Sequence, residues 1–361
     1  MEKEILIKWE RIKKILDEEK LEGVLLNKVS NFAWFTGGKI NYVGLHTETG
    51  VCKLLVTKKK IFYLTNNIEY PRISDEELKN FNFEPIIKNW YEEKFDEKIK
   101  EITNAKVGSD IFYDNYIPLN IEKLHFPLLR EETERYKKIG REISKIVTNI
   151  CKEIKPGDKE IEICGKLSES LWKRNIVPVV VLIASDERIK RYRHPVPKEK
   201  RVKKSVMVVL CARKYGLIVS LSRLIYFGKL PEELKKKHLA VCKIDSVFIG
   251  STCKGRTIGE IFSKGIEMYE KTGYGDEWKK HHQGGPTGYM TRYFRATKER
   301  KEIITENQAF AWNPSITGTK SEDTIITTEE KPIIITEDRN WPLLKIETEQ
   351  GEFLRPNIFV K

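Results

Sequence analysis

The sequence predicts an α/β domain followed by an α+β domain, and three observations lead to this fold class. The chain has 361 residues, which is more than one typical hydrophobic core accommodates. The first third alternates short apolar runs with helical patterns, which is typical of an α/β sheet. The remainder keeps its helical patterns apart from hairpin-like strands. A polar connection containing Pro118 and Pro127 separates the two parts, so we predict domains at 1–127 and 128–361.

The N-terminal domain begins with apolar residues at helical spacing between positions 3 and 20, which predict an amphipathic helix. Short apolar runs follow, and they predict strands with helical segments between them. In chain order the predicted elements are strand 23–26, a helical turn at 31–38, strands 51–57 and 61–65, helix 69–78, and strands 83–87 and 106–110. This alternation predicts a mostly parallel or mixed sheet.

The C-terminal domain begins with a long predicted helix that ends before Pro156 and Gly157. Thr257 is a favourable N-cap for the last helix, and a hairpin is predicted around Tyr215 and Gly216. The predicted helices are 131–154, 160–174, 234–248 and 257–270, and the predicted strands are 177–184, 202–210 and 215–227. From His281 onward the pattern is one of strands and loops.

The formal net charge of +13 raises the question of nucleic-acid binding. Acidic residues interrupt nearly every basic run and no nucleic-acid motif is present, so a solvated surface explains the charge. Nucleic acid is therefore not expected as a partner. No run of about 18 apolar residues predicts a membrane span. The N-terminus has the pattern of a charged amphipathic helix rather than a secretory signal, so we expect a cytoplasmic protein with no membrane partner.

The six cysteines show no Cys-x-x-Cys pair and no histidine partner at zinc-finger spacing. They lie mostly in apolar surroundings, where a free thiol behaves as a small hydrophobic side chain. Structural free thiols are therefore expected at Cys52, Cys151, Cys164, Cys211, Cys242 and Cys253.

Two glycine-rich segments contain most of the residues that could bind a ligand or take part in catalysis. The first runs from Trp278 to Arg295 and places His281 and His282 before a turn of two glycines and a proline. The second, 307–324, has the pattern of a strand, a glycine turn and a second strand. Glycine lets backbone amides come close to a ligand, and proline fixes the turn. These features predict a ligand site in the C-terminal domain.

Together with residues 185–228, these segments resemble the glycine-rich active-site loops of the creatinase / Xaa-Pro aminopeptidase family. The resemblance covers nearly the whole chain. It implies a smaller N-terminal creatinase-like α/β domain and a C-terminal α+β domain of the pita-bread fold that carries the active site. It also implies a homodimer and a small-molecule or short-peptide substrate.

The resemblance implies a metal site from which most ligands are missing. Metal-using members of the family hold two ions with two Asp, one His and two Glu, a ligand set that suits a dimetal centre. The positions of this chain that match those ligands are, in that order, Val209, Ser220, Gly285, Asn313 and Glu322. Valine and glycine offer no ligand atom, and only Glu322 is retained. We therefore expect no dimetal centre, no metal ion and no other cofactor.

A histidine retained at another motif position implies chemistry without metal. His194 matches the proton-shuttling, substrate-binding histidine of the family, and creatinase itself works without metal through a histidine at this position. The hypothesis is metal-independent hydrolysis of a C–N bond in a small peptide, amide or amidine-like substrate. His194 would act as acid and base. Glu322 would hold a cationic or NH-bearing group or orient His194.

Further groups are expected to bind the substrate. Guanidinium groups suit a carboxylate, histidines and glycine amides suit an anion, and an asparagine suits a hydrogen bond. The residues assigned to these roles are Arg223, His281, His282, Gly284, Gly285, Arg292, Arg295 and Asn313. We also expect His194 to lie within reach of Glu322 and an arginine.

Each assignment has a structural alternative. His194 can be a hydrogen-bonded loop residue, the paired histidines can cap a turn, and Arg223 can form a salt bridge to Glu322 or Asp323. Arg292 and the arginine that follows it can form a solvated face, and an asparagine before a proline is common in turns. A second function class stays open as well, a catalytically inactive pita-bread protein that binds a peptide, metabolite or protein partner.

Overall fold

The computed structural model describes residues 2–92, 95–104 and 106–361, which fall into two compact units. The division lies between Phe126 and Pro127, one residue before the predicted boundary. Each unit has its own sheets and its own core.

The first unit is built around one six-stranded sheet. In chain order its elements are α1 Glu2–Glu18, β1 Gly23–Lys28, α2 Val29–Phe35, β2 Thr49–Thr57, β3 Ile61–Asn66, α3 Tyr70–Arg72 with a π-helical turn Ile73–Glu77, β4 Glu84–Lys88, α4 Asp96–Thr103, β5 Val107–Ser109, β6 Ile117–Pro118 and a 3-10 turn Ile121–His125. The strand order is β4-β3-β2-β1-β5-β6. Because β1 pairs antiparallel with β2 and parallel with β5, the expected mixed sheet is confirmed.

Two helices of this unit differ from the sequence prediction. The helix expected over 69–78 is a short α-helical turn that continues as a π-helical turn. Pro71 lies at its start, where a missing N–H is tolerated. The sequence pattern does not predict α4, because its eight residues are fewer than the roughly 11 over which helical periodicity is recognised.

The second unit combines long helices with short sheets. Its helices are α5 Arg130–Glu153, α6 Glu160–Trp172, α7 Glu187–Arg191, α8 Glu232–Ser251 and α9 Ile258–Lys271, with a 3-10 turn Glu277–Lys280. Its strands are β7 Val177–Ser185, β8 Ser205–Lys214, β9 Leu217–Tyr226, β10 Gly284–Pro286, β11 Ala309–Trp312, β12 Ser315–Ile316, β13 Thr319–Lys320, β14 Asp323–Ile326, β15 Ile333–Ile334, β16 Leu343–Thr348, β17 Gly351–Pro356 and β18 Phe359–Val360. Helices and antiparallel strands are segregated, which confirms the α+β class.

The predicted hairpin is β8–β9, the centre of a four-stranded sheet in the order β18-β9-β8-β7. Tyr215 and Gly216 both have positive φ, as a two-residue hairpin turn requires. The first strand begins at Ser205 rather than at 202. The register places Cys211 opposite Ser220.

The two glycine-rich segments lie side by side in a second sheet with the order β10-β11-β14-β15. Gly284 in the first segment pairs with Trp312 in the second, and Trp312 pairs with Asp323 on its other side. A Cβ at Gly284 would lie 2.2 Å from the Ala311 carbonyl oxygen, so only glycine allows this approach. The strands thus bring the motif residues of both segments into one region.

The core of the second unit is largely aromatic and aliphatic. Trp312 stacks on Phe248 at a centroid distance of 4.7 Å, and its indole N–H donates to Thr252. Thr257 accepts from the Glu260 backbone N–H, which confirms it as the N-cap of α9. All six cysteines are free thiols. Within the described residues no helix is long and apolar enough to cross a membrane.

Candidate active site

Three histidine rings meet in the second unit, and we call them the histidine cluster: His194, His281 and His282. His194 lies in the loop after α7, and the other two follow the 3-10 turn Glu277–Lys280. The Nε2 atoms of His194 and His281 are 3.0 Å apart. The rings of His281 and His282 are stacked with centroids 4.3 Å apart. Each ring offers one nitrogen such that all three lie within 4.8 Å of one another.

Hydrogen bonds from neighbouring residues fix both loops of the cluster. The side-chain amide of Gln283 donates to the carbonyl oxygens of Trp278 and His281, and its oxygen accepts from the Tyr269 hydroxyl. Arg193 donates to Glu277 at 2.8 Å, which ties the His194 loop to the 3-10 turn. These bonds fix the two loops that carry the cluster, and the Arg193–Glu277 pair joins positions 84 residues apart in sequence.

The environment keeps the rings neutral. Burial, together with the positive charge of Lys320, lowers the pKa of His281 to about 2. Burial and the nearby Arg292 lower the pKa of His282 to about 4, and burial and Lys320 also lower the pKa of His194. His281 is buried, whereas His194 is exposed. At neutral pH each ring therefore carries one N–H and one free lone pair.

A buried ion pair lies beside the cluster. Lys320 Nζ is 2.8 Å from Glu322 Oε2, and the Ser222 hydroxyl donates to the same oxygen at 2.5 Å. Burial alone would raise the pKa of Glu322, but Lys320, Ser222 and Arg292 outweigh it, so the pKa is lowered. Glu322 is thus a carboxylate whose charge is already compensated. His194 lies within electrostatic range of Lys320 and Glu322.

The two arginines behind the histidine pair have different environments. The guanidinium of the half-buried Arg292 donates to the carbonyl oxygens of Gly285 at 2.6 Å and Ala311 at 2.7 Å, so it holds β10 to β11. Arg295 is exposed, and its charge acts on His194 and His282. Of this pair, Arg295 therefore has the side chain that solvent and solutes can reach.

Arg223 does not join the histidine cluster. It is buried, and its guanidinium donates to Asp323 at 3.1 Å and to the Thr336 carbonyl oxygen at 2.9 Å. The structure therefore corrects its assignment to substrate binding and gives the alternative that the sequence left open, a salt bridge to Asp323. Enclosure of the guanidinium is the physical reason.

The remaining predicted residues occupy the strands around the cluster. Asn313 is buried and its backbone N–H donates to the Gln283 carbonyl oxygen. Gly284 and Gly285 form β10, where a Cβ on Gly285 would lie 2.7 Å from the Phe294 carbonyl oxygen. The two glycines allow the backbone of β10 to lie close to the backbones of Ala311 and Phe294. The anion-binding role of their amides stays a prediction.

The hairpin residues at the family's two Asp positions are also enclosed. Val209 and Ser220 are both buried, and the Ser220 hydroxyl donates to the Cys211 sulfur at 3.2 Å. Burial raises the pKa of Cys211 to about 11, so its thiol stays protonated. Among the residues that the structure describes, neither Ser220 nor Cys211 hydrogen-bonds to a charged side chain, as an activated nucleophile would.

Sequence reasoning missed Lys320. A lysine is normally a surface residue, but here it is 6% exposed. The signal lies in its position, two residues before Glu322 in a segment of otherwise small or apolar neighbours. Alternate residues of an extended segment point the same way, so a Lys-x-Glu spacing predicts a paired lysine and glutamate.

Comparison with known proteins places the chain in a family. Residues 134–329, more than half of the chain, match the model described as metallopeptidase family M24. The chain belongs to metallopeptidase family M24. Residues 8–125 match the creatinase/prolidase N-terminal domain that accompanies this M24 domain. The two-domain fold expected from the sequence is thereby confirmed.

Solved structures with the same fold include several prolidases and dipeptidases. The prolidase from Pyrococcus horikoshii OT3 has a TM-score of 0.78 and 21% identity, covering 92% of this chain and 98% of that one. The Xaa-Pro dipeptidase from Bacillus anthracis has a TM-score of 0.77 and 19% identity over 99% of this chain and 100% of its own. At these identities the likeness establishes the fold. No curated protein sequence matches the chain.

One further M24-like structure carries a different kind of name. The N-terminal domain of the FACT complex subunit SPT16 from Cicer arietinum has a TM-score of 0.66 and 13% identity. It covers 93% of this chain and 95% of its own length. The fold is thus common to proteins named as peptidases and to a domain named as part of a protein complex.

Proposed function

We propose that the second unit hydrolyses a C–N bond of a small, negatively charged peptide or amide without a dimetal centre. His194 carries the proton, and side-chain cations supply the positive charge that metal ions supply elsewhere in the family. The observation that carries the proposal is the buried ion pair of Lys320 and Glu322, which fills the one family ligand position that keeps its residue.

Four of the five residues at the family's ligand positions do not fit a pair of metal ions. Glu322 is already bonded to an ammonium and a hydroxyl. Ser220 is bonded to a thiol, and Val209 has no ligand atom. Gly285 has φ +143° and no space for a Cβ, so no side chain can be accommodated there without moving β10. A divalent ion would also meet the charge of Lys320.

The charges around the cluster favour an anionic substrate. Lys320, Arg292 and Arg295 carry three positive charges, and Glu322 carries one negative charge. Arg295 is the exposed member, which suits a substrate carboxylate. Lys320 is placed to stabilise negative charge that develops near Glu322 during attack on a carbonyl group.

His194 has the properties of a proton carrier. Its ring is exposed, so substrate and solvent can reach it, while the buried ring of His281 holds it through the 3.0 Å contact between the two Nε2 atoms. A neutral imidazole can take a proton from an attacking water and return it to the leaving nitrogen. The names of the prolidase, Xaa-Pro dipeptidase and X-Pro aminopeptidase relatives suggest short proline-containing peptides as first substrates.

The test is hydrolysis by chelator-treated protein whose metal content has been measured by plasma mass spectrometry. A panel of Xaa-Pro dipeptides and carboxylated amides is followed by release of the new amine. We expect turnover without metal and a loss of about 10²- to 10⁴-fold in His194→Gln. His46→Ala, which removes an exposed histidine of the first unit, is the matched control and keeps full activity. Turnover that appears only with added Mn²⁺ or Co²⁺, or an active His194→Gln, would overturn the proposal.

Binding without turnover is the second candidate function. The compensated Lys320–Glu322 pair and the fold shared with the SPT16 domain favour it, since neither requires a reaction. A ligand from the same panel would then raise the melting temperature without forming product. Loss of that shift in Arg295→Met would place the ligand at the histidine cluster.

We also propose that the chain acts as a homodimer, as the family resemblance implies, and that it is cytoplasmic, as the N-terminal sequence pattern suggests. Light scattering on the purified protein tests the assembly, and fractionation of cells tests the location. A monomer at micromolar concentration, or recovery outside the cytoplasmic fraction, contradicts the corresponding part.

A further inference from the structure

We propose that His194, His281 and His282 form a binding site for a single transition-metal ion such as Zn²⁺. This site is made of residues other than the five dimetal positions considered above. Each ring offers one nitrogen, and the three nitrogens lie within 4.8 Å of one another. Imidazole is a common protein ligand of Zn²⁺, Co²⁺ and Cu²⁺.

The closest pair of nitrogens already has a separation that suits one ion. Two nitrogens bound to tetrahedral Zn²⁺ at about 2.0–2.1 Å are about 3.3 Å apart. The Nε2 atoms of His194 and His281 are 3.0 Å apart. The nitrogen of the third ring lies within 4.8 Å of the other two, so His282 has to move by at most about 1.5 Å to reach the same spacing. Three histidines leave the fourth tetrahedral position open.

A second observation concerns ring nitrogens without partners. Among the residues that the structure describes, the buried Nδ1 atoms of His281 and His282 have no hydrogen-bond partner. His281 is 9% exposed, so water reaches it poorly. A buried polar atom without a hydrogen-bond partner carries a free-energy penalty. Coordination of an ion by a ring nitrogen would remove this penalty at one of these positions.

The neighbouring charges define what completes the site. Lys320 acts on all three rings, and Arg292 and Arg295 act on His282. These cations disfavour a bare divalent ion, although the charge of Lys320 is compensated by Glu322. They favour an ion whose fourth ligand is an anion, namely hydroxide, halide or a carboxylate. Affinity is therefore expected to rise when a small carboxylate is present.

One consequence rests on the proposed function. An ion held by His194 takes the lone pair that proton transfer needs, so the metal-bound form and the hydrolytic form exclude each other. Zn²⁺ is then an inhibitor of the hydrolysis and not its cofactor. The metal site itself stands independently of any turnover, because binding can be measured without substrate.

The experiment is titration of metal-free protein with Co²⁺, followed by visible absorption, since four-coordinate Co²⁺ absorbs far more strongly than the hydrated ion. We expect one equivalent to bind, acetate to tighten binding and Zn²⁺ to displace the signal. His194→Ala and His282→Ala each weaken binding by roughly 100-fold. His46→Ala binds like the parent, and circular dichroism confirms that each variant is folded.

Two outcomes would overturn the site. The first is no four-coordinate signal at millimolar Co²⁺, and the second is an unchanged signal in the folded His194→Ala and His282→Ala variants. Both leave the hydrolysis proposal untouched, because that proposal uses the metal-free protein. Conversely, a third outcome is that Co²⁺ binds one-to-one to a protein that hydrolyses none of the substrates in the panel. That outcome supports the metal site and rules out the proposed hydrolase function.

Discussion

Lys320 Nζ lies 2.8 Å from Glu322 Oε2, and the two residues are 6% and 2% exposed. The pair follows from strand geometry, since Lys320 ends β13 and Glu322 directly precedes β14. An ammonium in this position neutralises a carboxylate that would otherwise be buried without a cation. The charge of Glu322 is thus compensated by a residue of the same short segment of the chain.

Removing the lysine should destabilise the fold more than removing both partners. Lys320→Met leaves a buried carboxylate without its cation and is expected to lower the free energy of unfolding by about 3 kcal/mol. The double variant Lys320→Met/Glu322→Gln should recover to within about 1 kcal/mol of the parent. Urea denaturation at neutral pH measures both. Equal stability of Lys320→Met and the parent would show that the pair is not coupled.

The backbone at Gly285 should reject any side chain. Gly285→Ala introduces a Cβ at φ +143° and 2.7 Å from a carbonyl oxygen, so we expect a loss of about 2 kcal/mol or more. Gly165 lies inside α6 with open space around it, so Gly165→Ala should stabilise the protein by about 0.5–1 kcal/mol. Thermal unfolding compares the two, and the same sign for both would contradict the argument.

Arg292 and Arg295 should separate stability from binding. Arg292→Met removes the charged donor from the carbonyl oxygens of Gly285 and Ala311, and we expect a loss of about 2 kcal/mol in unfolding free energy. Arg295→Met should change stability by less than about 0.5 kcal/mol because Arg295 is exposed. It should instead raise KM for anionic substrates with little change in kcat. A neutral substrate analogue is the control, since its KM should not respond.

Stability should fall at acidic pH through a buried histidine outside the cluster. His238 bonds to Thr319 and to the Pro356 carbonyl oxygen, and burial lowers its pKa to about 4. Between the unfolded pKa of about 6.5 and a pKa of about 4, the unfolded state binds more protons, so stability decreases as pH falls. The free energy of unfolding that is lost through protonation of His238 reaches about 3 kcal/mol once the pH is below 4.

The check compares unfolding free energies at pH 7 and pH 4.5. His238→Gln, which keeps hydrogen-bonding atoms but does not titrate, should lose clearly less stability over this interval than the parent does. His46→Ala should lose as much as the parent. An identical pH dependence in His238→Gln would mean that the ring is not held neutral.

Local signals were sufficient for most of the fold. The Tyr215–Gly216 turn and the Thr257 cap each depend on residues close in sequence, and both are present in the structure. The helix at 69–78 and α4 were harder, because a short helix with few buried residues leaves little periodicity. The separation of helices from antiparallel strands in the second unit could be predicted from the sequence because the pattern extends over many residues.

The candidate site was less predictable, because its contacts join distant parts of the chain. His194 and His281 are 87 residues apart, and the spacing of their nitrogens depends on bonds made by Gln283 and Arg193. Burial of Lys320 depends on the packing of β13 against α8 and β9, in addition to its neighbours in sequence. A composition rule assigns such a lysine to the surface. Family resemblance located the segments, and only the packing showed which side chains meet.

The backbone at Gly285 limits how this protein can diversify. Natural variation proceeds through folded intermediates, and position 285 accepts no residue with a Cβ unless the strand and the loop around Phe294 move together. New chemistry on this scaffold is therefore expected to arise in the loops that carry His194 and Arg295, where side chains are exposed. The resemblance described above implies a ligand histidine at this position in metal-using relatives, so regaining that ligand in this chain would require β10 and the loop around Phe294 to shift as well.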